Sequence, residues 1–134
     1  MAEFFKRTQT LALLIAGLGT SLGGLYTLAP QWALGQLNQL PYIASDTIFI
    51  QHWGFLVLMM GCSFLIAIFR NDWIISVFWV ALIEKLFFVS LVISHSSEPF
   101  INGFWLSMAM DCVICLYIAA YLMSCRQLKT KTLQ

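Results

Sequence analysis

The sequence predicts an all-α fold: a single-domain four-helix transmembrane bundle with up-down topology and both termini cytoplasmic. Three observations predict it. Hydrophobic residues make up 60% of the 134 residues and charged residues only 10%, where soluble chains carry about 25% charged residues. Four stretches, residues 10–28, 47–69, 73–94 and 100–124, reach the roughly 20 mostly apolar residues that a spanning helix needs. Six of the seven Lys and Arg residues then fall on one side of the membrane: Lys6, Arg7, Arg70, Arg126, Lys129 and Lys131. By the positive-inside rule that side is cytoplasmic. The net charge of +1, with no basic face, gives no case for nucleic acid as a partner.

The first helix carries a stripe of small residues, Ala12, Ala16, Thr20, Gly23 and Thr27, and a GxxxG at Gly19 and Gly23. Small residues let helix backbones approach closely in lipid. Packing against a neighbour in the same chain is expected, with homo-oligomerisation or a membrane-complex partner as the alternative. A second reading of this segment is a signal peptide. Lys6 and Arg7 followed by Leu11 to Leu18, with Thr27-Leu28-Ala29 as a cleavage site, fit that pattern.

The first connection, residues 30–46, lies outside the membrane in this topology. Trp32, Leu34, Leu37 and Leu40 recur at three-residue steps among glutamines and an asparagine. That spacing predicts a short amphipathic segment lying on the outer interface. The second helix opens with Gln51-His52-Trp53-Gly54. Trp53 fits the aromatic belt at headgroup level, together with Trp32, Trp73 and Trp105. His52 reads either as a histidine hydrogen-bonded at the interface or as an entry point for protons, since imidazole titrates near neutrality.

The third helix holds two charges at its middle, Glu84 and Lys85. Fourteen Leu, Ile, Phe and Val residues between Ile74 and Ile93 favour insertion by about 6 kcal/mol, against a cost of about 5 to 7 kcal/mol for the two charges. Lys85 lies about 15 Å from either end at 1.5 Å per residue, beyond the reach of its own stem. It must be neutral, hydrated or paired. The fourth helix brings Asp111 to the same depth, on a polar stripe with Ser107 and Cys115. A Lys85–Asp111 pair between the third and fourth helices is expected, with Glu84 nearby. Three ionised groups would leave one negative charge in excess, so one carboxyl should hold a proton near pH 7. The cluster serves either to fix helix register or as a proton, ion or ligand site, since intramembrane ionisable groups are functional candidates by default.

Cys112 and Cys115 form a CxxC beside Asp111. That pair opens a third reading, a membrane thiol–quinone oxidoreductase. Vitamin K epoxide reductase-type enzymes carry such a motif in their last helix, but they also need an external cysteine pair that this chain lacks. The two histidines, His52 and His95, are read as lying at opposite ends of the bundle and make no metal site. No cofactor is expected, quinone being the one that the thiol reading would bring. The tail, residues 125–134, is short and basic and is expected to be solvated.

Gln51-His52-Trp53-Gly54-Phe55 leading to Gly61, Ile83-Glu84-Lys85, and Met110-Asp111 resemble the small four-helix membrane proteins of the DoxX-like and BphX-like group. The resemblance covers roughly residues 10–124. The first helix lacks the Arg and Gly-Lys features of DoxX proper, so the BphX-like side is the closer fit. What the resemblance implies is a bundle in the bacterial cytoplasmic (inner) membrane with an accessory or quinone-linked role.

Overall fold

The computed structural model describes the backbone of residues 2–132 and the side chains of residues 3–5 and 7–125. Six α-helices follow one another: α1 (Ala2–Ser21), α2 (Gly24–Leu28), α3 (Pro30–Ala33), α4 (Thr47–Phe69), α5 (Ile74–Ser94) and α6 (Trp105–Thr132). Four segments are long and apolar enough to cross a membrane: Arg7–Leu28, Ala44–Phe69, Asn71–Ser94 and Pro99–Cys125. At most 39% of the most apolar window of any of these segments is buried inside the bundle. The exposed remainder, including Leu14, Ile15, Phe55, Phe87, Leu106 and Leu116, is a continuous apolar surface that only lipid solvates well. The chain is an integral membrane protein.

The four spans pack up and down. α1 lies along α4, α5 along α6, and the two pairs meet where α4 faces α5 and α1 faces α6. Phe5 near the start of α1 stacks edge-on against Tyr117 and Tyr121 of α6. Thr8 and Gln9 hydrogen-bond the hydroxyls of the same two tyrosines. The beginning of α1 and the last turns of α6 therefore share one end of the bundle, the terminal end. Residues 29–46 and 95–104 form a cap over the other, the loop end.

Glycines set the tightest contact. A Cβ on Gly61 would strike Ser21, whose Cα would lie 2.8 Å away, and a Cβ on Gly54 would lie 2.8 Å from the carbonyl oxygen of Gly23. Seven residues separate these two glycines, so they lie on one face of α4 and let the α1–α2 backbone sit directly on it. The expected GxxxG divides its work between two neighbours within the chain. Gly23 is buried against Val57 of α4, while a Cβ on Gly19 would meet Met110 of α6 at 3.0 Å.

The first and last helices differ from those the sequence predicts, α6 starting at Trp105 after a 3-10 stretch at Pro99–Phe104. The first helix begins at Ala2 rather than near residue 10, because residues 2–9 are mostly good helix formers with Glu3 favourably placed in the first turn. It also breaks at Leu22–Gly23, where the bonds tighten to three-residue spacing: Leu22 N–H to Gly19 O at 3.3 Å and Gly23 N–H to Thr20 O at 3.0 Å. The tail predicted as solvated continues α6 as far as Thr132, since no Gly or Pro interrupts the chain from Trp105 onward. The side chains of Arg126, Lys129 and Lys131 lie outside those described.

The apolar core fills the terminal half of the bundle. Leu13 and Ala16 of α1, Phe64 and Ala67 of α4, Phe78 and Ala81 of α5, and Ile118 and Leu122 of α6 form it. At the loop end the filling is polar. Asn38, in the wide turn Leu34–Asn38, is only 3% exposed. Its Nδ2 donates to Gly103 O at 2.8 Å, and its Oδ1 accepts from the Tyr26 hydroxyl. Gly103 is a glycine because a Cβ there would collide with the Asn38 backbone. The amphipathic segment expected here is thus anchored by an asparagine, with Trp32 and Leu37 on its exposed side.

Candidate functional site

Glu84 is the central residue of α5, with ten residues on either side of it. Asp111 stands one residue from the middle of the 27-residue segment Pro99–Cys125. Helix α5 turns Lys85 inward on the face that also buries Phe78, Ala81 and Val92. The lysine is 3% exposed, and its Nζ donates to Asp111 Oδ1 at 2.6 Å. This is the interhelical pair the sequence predicts. The length is that of a strong, charge-assisted hydrogen bond.

Glu84 joins the same cation. Its Oε2 lies 3.7 Å from Lys85 Nζ, too far for a hydrogen bond and close enough for an ion pair. Adjacent helical positions diverge by about 100°, and that divergence argues for a partner on another helix. Glu84 lies near the Lys85–Asp111 pair as expected and also reaches the same ammonium, because two flexible side chains bend back to one point. The outcome is a chain of three groups, Glu84–Lys85–Asp111, with the single cation between two acids. The inner oxygen of Glu84 is buried, and among the described residues nothing donates a hydrogen bond to it. The Glu84 side chain as a whole is 37% exposed, so it stands at the edge of the bundle while Lys85 and Asp111 lie deeper.

The other predicted site residues are placed unevenly. Cys115 is buried and Cys112 half-buried, both as free thiols on the α6 face nearest the cluster. Ser107 is exposed. Steps of four residues advance a helix by about 400°, so the stripe Ser107–Asp111–Cys115 rotates by about 80° over its length. Only its last two members turn toward the charges, which corrects the expectation of a continuous polar interior face. His52 is exposed on α4 and takes no side-chain hydrogen bond among the described residues. It is not joined to the cluster. Two concavities, one bordered by Pro30, Trp32 and Tyr42 and the other by Asn38, Pro99 and Leu106, belong to the loop end. Neither is lined by His52, Glu84, Lys85 or Asp111.

The sequence pattern did not single out Asn38, which joins α2, the outer turn and the α5–α6 connection. A lone asparagine among the leucines of an amphipathic segment was the available signal. At the terminal end, Arg70 pairs with Asp72 at 2.9 Å and lies 5.6 Å from the Trp73 ring centroid. The hydrogen bonds to Asp72 raise the guanidinium pKa further, so this loop keeps its cation.

The cluster can exchange a proton or hold a counter-charge. It contains two acids and one base at mid-span, and fully ionised it carries one negative charge in excess. No family model, no curated protein and no solved structure matches this chain.

Proposed function

We propose that this chain is a non-catalytic membrane protein, an accessory subunit or a binder of a small apolar or protonatable ligand, centred on Glu84, Lys85 and Asp111. Its resemblance to the DoxX-like and BphX-like group and its Lys and Arg distribution support a bacterial cytoplasmic membrane with both termini cytoplasmic. One observation carries the reading. Lys85 is committed to Asp111 at 2.6 Å, while the buried oxygen of Glu84 accepts no hydrogen bond at the centre of its span. An ionised carboxylate in that position is costly. Glu84 therefore holds the proton that brings the cluster to neutrality. A second reading, proton-coupled small-molecule transport with Glu84 as the proton site, rests on the partial exposure of the same side chain.

Infrared spectroscopy of the protein in liposomes tests the proposal. The protonated-carboxyl band is expected near pH 7 and is lost in Glu84→Gln. It is lost in Asp111→Asn as well, because Glu84 then ionises to neutralise Lys85. A wild-type spectrum without the band, or a band that survives both substitutions, overturns the reading. Proton flux into the same liposomes separates binder from transporter.

A further inference from the structure

Glu84 borders an apolar strip. Val80, Phe87 and Leu91 stand at i−4, i+3 and i+7 from it on α5, within about 60° of its direction at 100° per residue. They are 56%, 64% and 42% exposed. On its other side, Ala81 and Lys85 turn into the bundle. The Glu84 side chain thus lies on the line where the lipid-facing surface meets the ion cluster. It is about 15 Å from either end of α5. With 37% of that side chain exposed at mid-span, the approach to Glu84 is lateral, from the hydrocarbon.

A molecule arriving by that route must dissolve in lipid. To pair with Glu84 it must carry a base that takes the carboxyl proton and, once protonated, an N–H that returns a hydrogen bond, because Lys85 is already committed to Asp111. A lipophilic amine meets all three conditions. We propose that Glu84 is a lateral binding site for such an amine, with Val80, Phe87 and Leu91 as its apolar bed. The amine enters neutral from the bilayer. Its nitrogen lone pair takes the Glu84 proton, the O–H bond breaks as the N–H bond forms, and an ammonium–carboxylate pair is left beside Lys85–Asp111. The groups that bear on this proton are Lys85 on the same helix and Asp111, Cys112 and Cys115 on α6. On α4, Cys62 lies within about one helical turn of the same depth. The proposal rests on the reading of Glu84 as the proton-holding acid.

Equilibrium binding of tritiated imipramine, a lipophilic tertiary amine, to the full chain in phosphatidylcholine nanodiscs tests it. The expected result is saturable binding of one amine per chain above empty discs. Affinity should rise about tenfold for each unit by which pH is raised, over the range in which free Glu84 and the dissolved amine are both protonated, because one of their two protons is released on binding. Glu84→Gln should weaken binding about thirtyfold or more, the low end for removing one partner of a buried charge pair. Glu84→Asp should restore part of it, and Glu98→Gln, in the exposed loop, should leave it unchanged. Tetraphenylphosphonium, a cation without an N–H, should bind more weakly than the amine. Equal affinity for tetraphenylphosphonium, pH-independent binding or unaltered binding in Glu84→Gln each overturns the proposal. Absence of saturable binding overturns it alone if the infrared band of Glu84 is present, and overturns the underlying reading too if the band is missing. Should Glu84→Gln fail to fold, the wild-type pH slope and Glu84→Asp decide the matter.

Discussion

Removing Asp111 tests whether Glu84 and Asp111 compete for one cation. Lys85 is 3% exposed and bonded to Asp111 at 2.6 Å. Deleting one partner of a buried ion pair ordinarily costs about 3–5 kcal/mol, because the other charge is left uncompensated. Here a substitute is at hand. Glu84 Oε2 is 3.7 Å from the same ammonium, so a shift of about 0.9 Å brings it to the roughly 2.8 Å of a charge-assisted bond. Asp111→Asn should then cost only about 1–2 kcal/mol. Glu84→Gln leaves the short pair intact and should cost less than about 1 kcal/mol. Together they strand Lys85 and should cost about 3–5 kcal/mol, more than the sum of the two. Lys85→Met combined with Asp111→Asn removes both charges and should return to within about 1 kcal/mol of the wild type. Reversible unfolding by dodecyl sulfate from maltoside micelles, followed by far-ultraviolet circular dichroism, measures all four. A double variant whose cost equals the sum of its parts within about 0.5 kcal/mol refutes the sharing of Lys85.

Gly61→Ala drives a methyl group into the Ser21 backbone and should cost about 1–3 kcal/mol in the same assay. Gly35→Ala meets nothing within 4 Å and should stay within about 0.5 kcal/mol of the wild type; equal costs would refute the close α1–α4 contact. Asn38→Leu removes the 2.8 Å bond to Gly103 O and the acceptor of Tyr26. It should cost about 1–3 kcal/mol and speed hydrogen exchange across residues 30–46; unchanged exchange would mean that the cap is held by other contacts. Epitope tags at the two termini should be protected from external protease together, on the cytoplasmic side. Tags on opposite sides would contradict the joining of α1 to α6 through Phe5, Tyr117 and Tyr121.

Most of the bundle was legible because lipid imposes a coarse rule. A span needs about 20 apolar residues with every backbone group bonded internally, and both conditions can be read along one dimension. The ends of helices were less legible. Lipid does not choose where a helix stops once it leaves the hydrocarbon, and local propensity carried α1 back to Ala2 and α6 on to Thr132. The break at Leu22–Gly23 answers to Val57 and to the glycine face of α4, which are distant in sequence.

For the candidate site, the sequence by itself determined that charges lie at mid-membrane, that Lys85 cannot reach either surface on its own stem, and that Asp111 is the acid at matching depth. Periodicity and the rise per residue suffice for depth. Only the tertiary structure decided direction. It brought Glu84 to within 3.7 Å of Lys85, left its inner oxygen without a donor, and separated His52 from the cluster. Depth is a property of a residue's position along its own helix. The direction in which a side chain finds its partner depends on how far that helix has turned against its neighbours, and that is settled only when the helices pack.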